Sequence, residues 1–319
     1  MRVAAPALLL IYAAVMASAG TRWLPRASWP LRAPRTGIVA WQAAALSMAT
    51  SVIAAGLILA VPCIRVSTDP TVLRACLSLI GHQYATLLGA AAGISGGMLA
   101  LGVLGRLTWC IGAAMKGARH RRASHDDALT LIARPAQIPE VSLIDDDRPA
   151  VYCVPGRRRR IVLTTGALRC LDSRQLDAVL AHERAHLSER HHLVLASAAA
   201  LTRAFPAVRF FAVAARQVSD LVEAAADDAA VRRAHRLTLA GALLAVAAAG
   251  APAGALGAGG TTAAQRIQRL IDPPQPPSRI RRAITSAASI TASALLFAVP
   301  VLTLAIMTRC PQGHYPVNW

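Results

Sequence analysis

Four stretches of this chain, residues 3–20, 37–64, 84–105 and 284–308, contain no charged residue. A helix needs about 20 apolar residues to cross the hydrocarbon layer, so runs of this length constrain the fold more than any other feature. Hydrophobic residues make up 55% of the 319 residues and charged residues only 16%. The mean hydropathy is +0.45. Ala17-Ser18-Ala19 offers a signal-peptide reading of the first run, but further runs follow it and almost no positive segment precedes it.

Charge placement gives the runs an orientation. The formal net charge is +18, nearly all of it arginine. The segments 21–36, 106–122 and 266–282 are basic, whereas 65–83 and 309–319 are not. Basic flanks stay on the cytoplasmic side. The N-terminus is therefore expected outside, the first loop inside, the second loop outside, residues 106–283 inside and the C-terminus outside. Such a distribution fits a plasma-membrane protein better than a nucleic-acid binder. Aromatics, at 4%, give little stacking surface, and direct nucleic-acid binding is not expected.

Two further apolar stretches read differently. Residues 193–215 contain Arg203, Pro206 and Arg209, and suit a helix packed within the domain or lying at the interface. Residues 237–260 read as an Ala-rich helix to about Ala249, then a glycine-rich loop. Four domains follow: a membrane domain over 1–116 with spans near 3–20, 37–64 and 84–105; an inner domain over 117–283; a fourth span at 284–308; and a short external tail at 309–319.

Within the inner domain, 128–133 (ALTLIA) and 141–144 (VSLI) read as short strands. Val151–Val154 and Ile161–Thr164 flank Pro155-Gly156 and four arginines, a hairpin pattern. The arginines at 157–160 read as a solvated tip or a contact with lipid headgroups. Asp172 or Ser173 then caps a helix over about 173–190, with Gln175 as capping-box partner.

That helix carries His182-Glu183-Arg184-Ala185-His186, an HExxH motif. Two imidazoles four residues apart share one helix face and can reach one metal ion, usually Zn2+. Glu183 is placed to act as general base toward a water molecule. A catalytic zinc needs a third protein ligand. Glu223 is the candidate, on a helix with Phe211, Ala215, Val218 and Val222 along one side. Asp227, four residues on, faces the same way and can accept the free N–H of a ligand histidine. Glu189 is a rival ligand, but three donors on one straight helix close a tetrahedron poorly. His191 and His192 follow at once but rotate off the ligand face, and an interfacial or solvated role is expected for them. His235 is a weak candidate to stabilise an oxyanion. The strand Ile161, Val162, Leu163, Thr164, Thr165 could take an extended substrate as an added strand. Glu183 also weighs against a non-catalytic signalling protein with a structural metal, which needs no general base.

Three spans, IVLTTGAL, LDAVLAHERAHLSERHH, the ExxxD helix and a basic Pro-rich stretch before the last span resemble the antirepressor-type membrane metallopeptidases, which include the β-lactam sensor-transducers. More distantly, the chain is similar to the HtpX and CAAX prenyl protease group. The resemblance implies a mainly α membrane protein with an α+β, zincin-like (gluzincin) domain between spans three and four. It implies one Zn2+ on His182, His186 and Glu223, Glu183 as the catalytic residue, and a polypeptide substrate such as a transcriptional repressor. The segment Gln265–Leu270 also resembles the family's stretch before the last span. The departure is at the C-terminus, where 11 residues follow Thr308 and an extracellular penicillin-binding domain is not expected.

The six cysteines form no CxxC pair. Cys63, Cys76 and Cys310 fall on the expected outer side, where a Cys63–Cys76 disulfide and unpaired thiols are equally open readings.

Overall fold

The computed structural model describes residues 4–27, 29–61, 70–136, 138–156, 159–250 and 260–273. The expected fourth span, the tail, Cys63 and Cys310 lie outside the described residues. The chain opens with helices α1 (Ala4–Ser18), α2 (Gly20–Trp23), α3 (Trp29–Arg32), α4 (Pro34–Ala60), α5 (Pro70–Tyr84) and α6 (Leu87–Ile132). Ala4–Arg26, Pro34–Ala60 and Leu87–Ile132 are long and apolar enough to cross a membrane, and they overlap most of the first three apolar runs. Pro34 starts α4 at the one end where a missing N–H costs nothing. Val61, extended before Pro62, stops it. Thr86 caps α6 by accepting from Gly89 N at 3.1 Å.

Helices α4 and α6 meet through glycine. A Cβ on Gly56 would lie 2.5 Å from the Gly96 carbonyl oxygen, and one on Gly96 would lie 2.5 Å from the Leu59 Cβ. Small residues are what allow backbones this close.

Helix α6 does not end with its apolar run. It continues through the basic segment and the 116/117 position to Ile132, so the strand expected at 128–133 is helix up to that residue. Alanine and leucine are strong helix formers, and a helix already running adds residues cheaply until something breaks it. The break comes at Ala133, extended, just before Arg134–Pro135. Leu129 is nearly fully buried against Val154 and Val162, which fixes the lower end of α6 on the sheet.

The sheet has four strands, β1 (Arg134–Pro135), β2 (Val141–Ile144), β3 (Val151–Val154) and β4 (Arg160–Thr164), in the order β1-β2-β4-β3. Strands β3 and β4 form the expected hairpin, and β2 pairs with β4 in parallel. Strand β4 is therefore interior, and Ile161, Val162 and Leu163 are all buried. This corrects the expectation of an added substrate strand at 161–165. Both ladder sides of β4 are taken, and Thr165 already belongs to the next helix. The outer strand on this side is β3.

Helices α7 (Thr165–Cys170), α8 (Ser173–Ser188), α9 (His191–Ala204), α10 (Arg209–Ala230), α11 (Arg236–Gly250) and α12 (Gly260–Ile271) complete the described chain. Helix α7 was not legible as a separate element; Thr164 caps it by accepting from Ala167 N. Residues 193–215 are two helices broken at Pro206, and 237–249 are helical, as expected.

Three apolar clusters set the position of α8 and α10. Ile161, Leu163, Val179, Leu180 and Leu187 pack α8 against the sheet. Ala178 and Ala181 pack its other side against Leu239 and Leu270. Trp41, Ala45 and Met48 of α4 share a core with Leu201 of α9 and with Phe210, Val218 and Val222 of α10. A helix of membrane-crossing length thus packs directly on α10, the helix that carries Glu223.

Candidate metal centre

Helix α8 starts at a full capping box. Asp172 accepts from Gln175 N at 2.8 Å, and Gln175 Oε1 accepts from Asp172 N at 3.1 Å. The helix is then regular across the motif, and its periodicity brings the Nε2 atoms of His182 and His186 to 3.0 Å from each other. Helix α10 delivers Glu223 from the side. Its carboxylate lies 3.5 Å from His182 Nε2 and 3.6 Å from His186 Nε2. One ligand atom from each of the three residues falls within 4.8 Å of the other two. Tetrahedral ligands about 2.1 Å from a zinc ion stand roughly 3.4 Å apart. The donor set and its spacing therefore fit such an ion, with a fourth position left for a reactant.

Asp227 is completely buried, one turn below Glu223, with Oδ1 3.0 Å from His182 Nδ1. A buried carboxylate requires a counter-charge. Arg266 of α12 supplies it, donating from Nε to Oδ2 at 2.9 Å and from Nη2 to Oδ1 at 2.7 Å. Its third nitrogen, Nη1, lies 2.9 Å from Glu223 Oε2. One guanidinium thus holds both acids of the ExxxD pair. Arg269, a turn further on, pairs with Asp228 at 2.7 Å and fastens α12 to α10.

The electrostatics follow from this packing. Burial opposes charge on His182, but Asp227 and Glu223 outweigh it and lift its pKa to about 9. Burial, joined by the charge of His182, pushes His186 down to about 4. Burial would also raise the two acids, yet His182 and Arg266 hold Glu223 below the usual range and Asp227 at about 2. Glu183 goes the other way, raised chiefly by burial. Its neighbour is Cys153 on β3, whose thiol, pushed up to about 12 by burial and then by the charge of Glu183, stays a proton donor to that carboxylate.

His191 departs from the single-helix expectation. Arg190 adopts a left-handed conformation at φ 53°, so α8 ends and α9 starts in a new direction. That turn brings His191 Nδ1 to 3.1 Å from His186 Nδ1, with the rings edge-on at 4.9 Å. Behind His191 stands Glu189, 3.4 Å from its Nε2. Glu189 in turn accepts from both Nε and Nη2 of Arg35, in the first turn of α4. The rival ligand is thereby engaged away from the cluster.

His235 is exposed, and its Nδ1 accepts from Leu237 N at 3.3 Å at the start of α11. The ring nitrogen serves the helix terminus rather than the three-residue cluster. Arg266, His191, Arg35 and Cys153 are the site residues that sequence reasoning did not assign. Only Arg266 left a trace, in the Gln265–Leu270 segment.

Residues 116–270 match the model of Peptidase family M48. Over 79 residues the chain is 38% identical to a protein described as "Protease HtpX homolog" from Polynucleobacter necessarius subsp. necessarius (strain STIR1). Over the same length it is 35% identical to proteins of that description from Burkholderia mallei (strain SAVP1) and Burkholderia pseudomallei (strain 668). Each match covers 24% of this chain, and the chain spans 27% of the length of these relatives. No solved structure matches the chain. Residues 116–270, a little under half of the chain, carry the whole His182–His186–Glu223 cluster and its Arg266 clamp, and it is this part that is similar to peptidase family M48.

Proposed function

We propose that the protein is a membrane-anchored, zinc-dependent endopeptidase that hydrolyses peptide bonds at the cytoplasmic face, with one Zn2+ held by His182, His186 and Glu223. The observation that carries this reading is the convergence of those three side chains around one point, with Glu183 in the same turn of helix. The bound cation supplies Lewis acidity, polarising the scissile carbonyl and activating the attacking water.

The chain's own groups do the rest. Glu183 takes a proton from water and returns it to the leaving amine. Burial raises its pKa, which makes it a stronger base toward that proton. Asp227 orients His182 through Nδ1, and Arg266 fixes Asp227 and Glu223 together. An extended substrate lies along β3. Thr164 N donates to Ala150 O, so positions 150, 152 and 154 bond inward to β4. Val151 and Cys153 then turn their backbone N–H and C=O to the outer edge, beside Glu183. A cavity of about 610 Å³, lined by Glu223, Arg266 and Asp220, offers room for substrate side chains.

Residues 117–283 form the catalytic domain, between three membrane helices and a fourth at 284–308, with both termini external. The arginine distribution supports this arrangement. Membrane-associated polypeptides are the substrates, a transcriptional repressor among them by resemblance to the antirepressor-type peptidases. The test is purified wild type against Glu183→Gln on a casein or peptide substrate, with bound zinc measured in both. Cleavage should fall by roughly 10²–10⁴ in the variant with zinc retained. Persisting cleavage at wild-type rate would sink the reading.

A further inference from the structure

A second cavity, of about 740 Å³, lies on the far side of the α8–α9 turn from the three-residue cluster. The lower part of α6, the described residues Val154, Pro155, Gly156 and Arg159 of the β3–β4 hairpin, and the first turn of α9 enclose it. Four guanidiniums line it: Arg119 and Arg122 from α6, Arg159 from the hairpin, and Arg190 from the turn. Among the described residues, none of the four makes an ion pair with a carboxylate. Two acids also line the cavity: Asp127, and Asp126, whose Oδ1 lies 3.7 Å from Arg160 and has no hydrogen-bond partner among the described residues.

His192 completes the wall. Its Nδ1 is buried and has no hydrogen-bond partner among the described residues. Helix α9, 14 residues long, begins beside it with no side-chain cap, so its N-terminal dipole also favours negative charge there. The four guanidiniums outnumber the two carboxylates, and that excess of positive charge favours an anion in the cavity.

Depth along α6 points to the kind of anion. Large apolar side chains of this helix are exposed from Leu87 to Met115, including Trp109 and Ile111. None is exposed again until Leu131. Lys116 starts the basic segment, and Arg119 stands four residues past Met115, about 6 Å along the axis. The cavity therefore opens where an apolar helix surface gives way to cations, the depth at which lipid phosphates lie.

We propose that this cavity is a binding site for a phosphate-bearing anion, with Arg119, Arg122, Arg159 and Arg190 gripping the phosphate oxygens beside His192. Arginine suits such a site because its planar fork can make paired hydrogen bonds to phosphate. A lipid headgroup and a free phosphate share this chemistry. The site does not depend on the peptidase reading, although Arg190 and His192 flank His191 and so connect it to His186.

The full-length chain in a neutral detergent would be titrated with inorganic phosphate, short-chain phosphatidylglycerol and short-chain phosphatidylcholine. Saturable binding of phosphatidylglycerol at least tenfold tighter than phosphate identifies a lipid headgroup as the source. Comparable binding of both identifies free phosphate as sufficient. Affinity should fall at least tenfold in R119Q/R122Q and about threefold in Arg159→Gln, an exposed hairpin position whose loss leaves the core intact. No saturable binding of either anion overturns the proposal. So does binding that Arg159→Gln leaves unaltered, or phosphatidylcholine binding as tight as phosphatidylglycerol.

Discussion

Arg266 grips the buried carboxylate of Asp227 through two nitrogens, at 2.9 and 2.7 Å. Removing the guanidinium leaves the buried carboxylate of Asp227 with only His182 beside it among the described residues. Arg266→Ala should destabilise the domain by about 3 kcal/mol. It should also reduce bound zinc, because His182 and Glu223 lose their anchors together. Arg266→Lys keeps the charge but not the fork and should fall between the two. Thermal unfolding in detergent, with zinc measured on the same samples, checks both effects. Equal zinc in all three proteins would refute the clamp.

The outer edge of β3 makes a backbone prediction. Val151→Pro removes an N–H that faces outward, while Val151→Ala keeps it and trims only the side chain. One lost hydrogen bond is worth about 1 kcal/mol. The proline variant should therefore lose roughly five- to tenfold in kcat/KM beyond the alanine variant, mainly through KM. Equal losses would mean that substrate does not pair with this strand.

Contact between α4 and α6 is equally open to test. Gly56→Ala places a methyl group 2.5 Å from the Gly96 carbonyl oxygen, and backbone cannot yield as a side-chain tip can. The helices must separate, at about 1–3 kcal/mol. Gly102→Ala on α6 meets nothing within 4 Å and should unfold at the wild-type temperature.

The Arg35–Glu189 pair links α4 to the turn that bears His191. Burial raises the Glu189 pKa, but the hydrogen bond and charge of Arg35 outweigh it and hold it below the usual range. A depressed carboxylate stabilises the fold above its unfolded pKa of about 4.3, and that stability is lost as pH falls through the lower folded value. Both side chains reach solvent, so screening keeps the effect to about 0.5–1 kcal/mol. Glu189→Gln should unfold earlier than wild type at pH 7, and the gap should close as the pH is lowered below 4. A gap independent of pH would show that packing rather than charge is lost.

The HExxH spacing fixed the relation of His182, Glu183 and His186 before any fold was known, because it is a property of one turn of helix. The ExxxD spacing did the same for Glu223 and Asp227, and the apolar runs located the three membrane-length helices. These are local facts, set by helical periodicity and side-chain polarity. Strand order is not local: β4 looked open because its neighbour in sequence is a hairpin partner, and only the parallel pairing with β2 closes its other side. The strand expected at 128–133 failed similarly, because nothing in that short apolar run marks it as the continuation of a 46-residue helix. His191 came to His186 only because Arg190 turns left-handed and resets the helical phase. Arg266 reached Asp227 across 39 residues because α12 packs on α10. The sequence by itself determined which groups could do the chemistry. The tertiary structure decided which cations and rings stand behind them, because a buried charge is matched by whatever the packing of distant helices brings within reach.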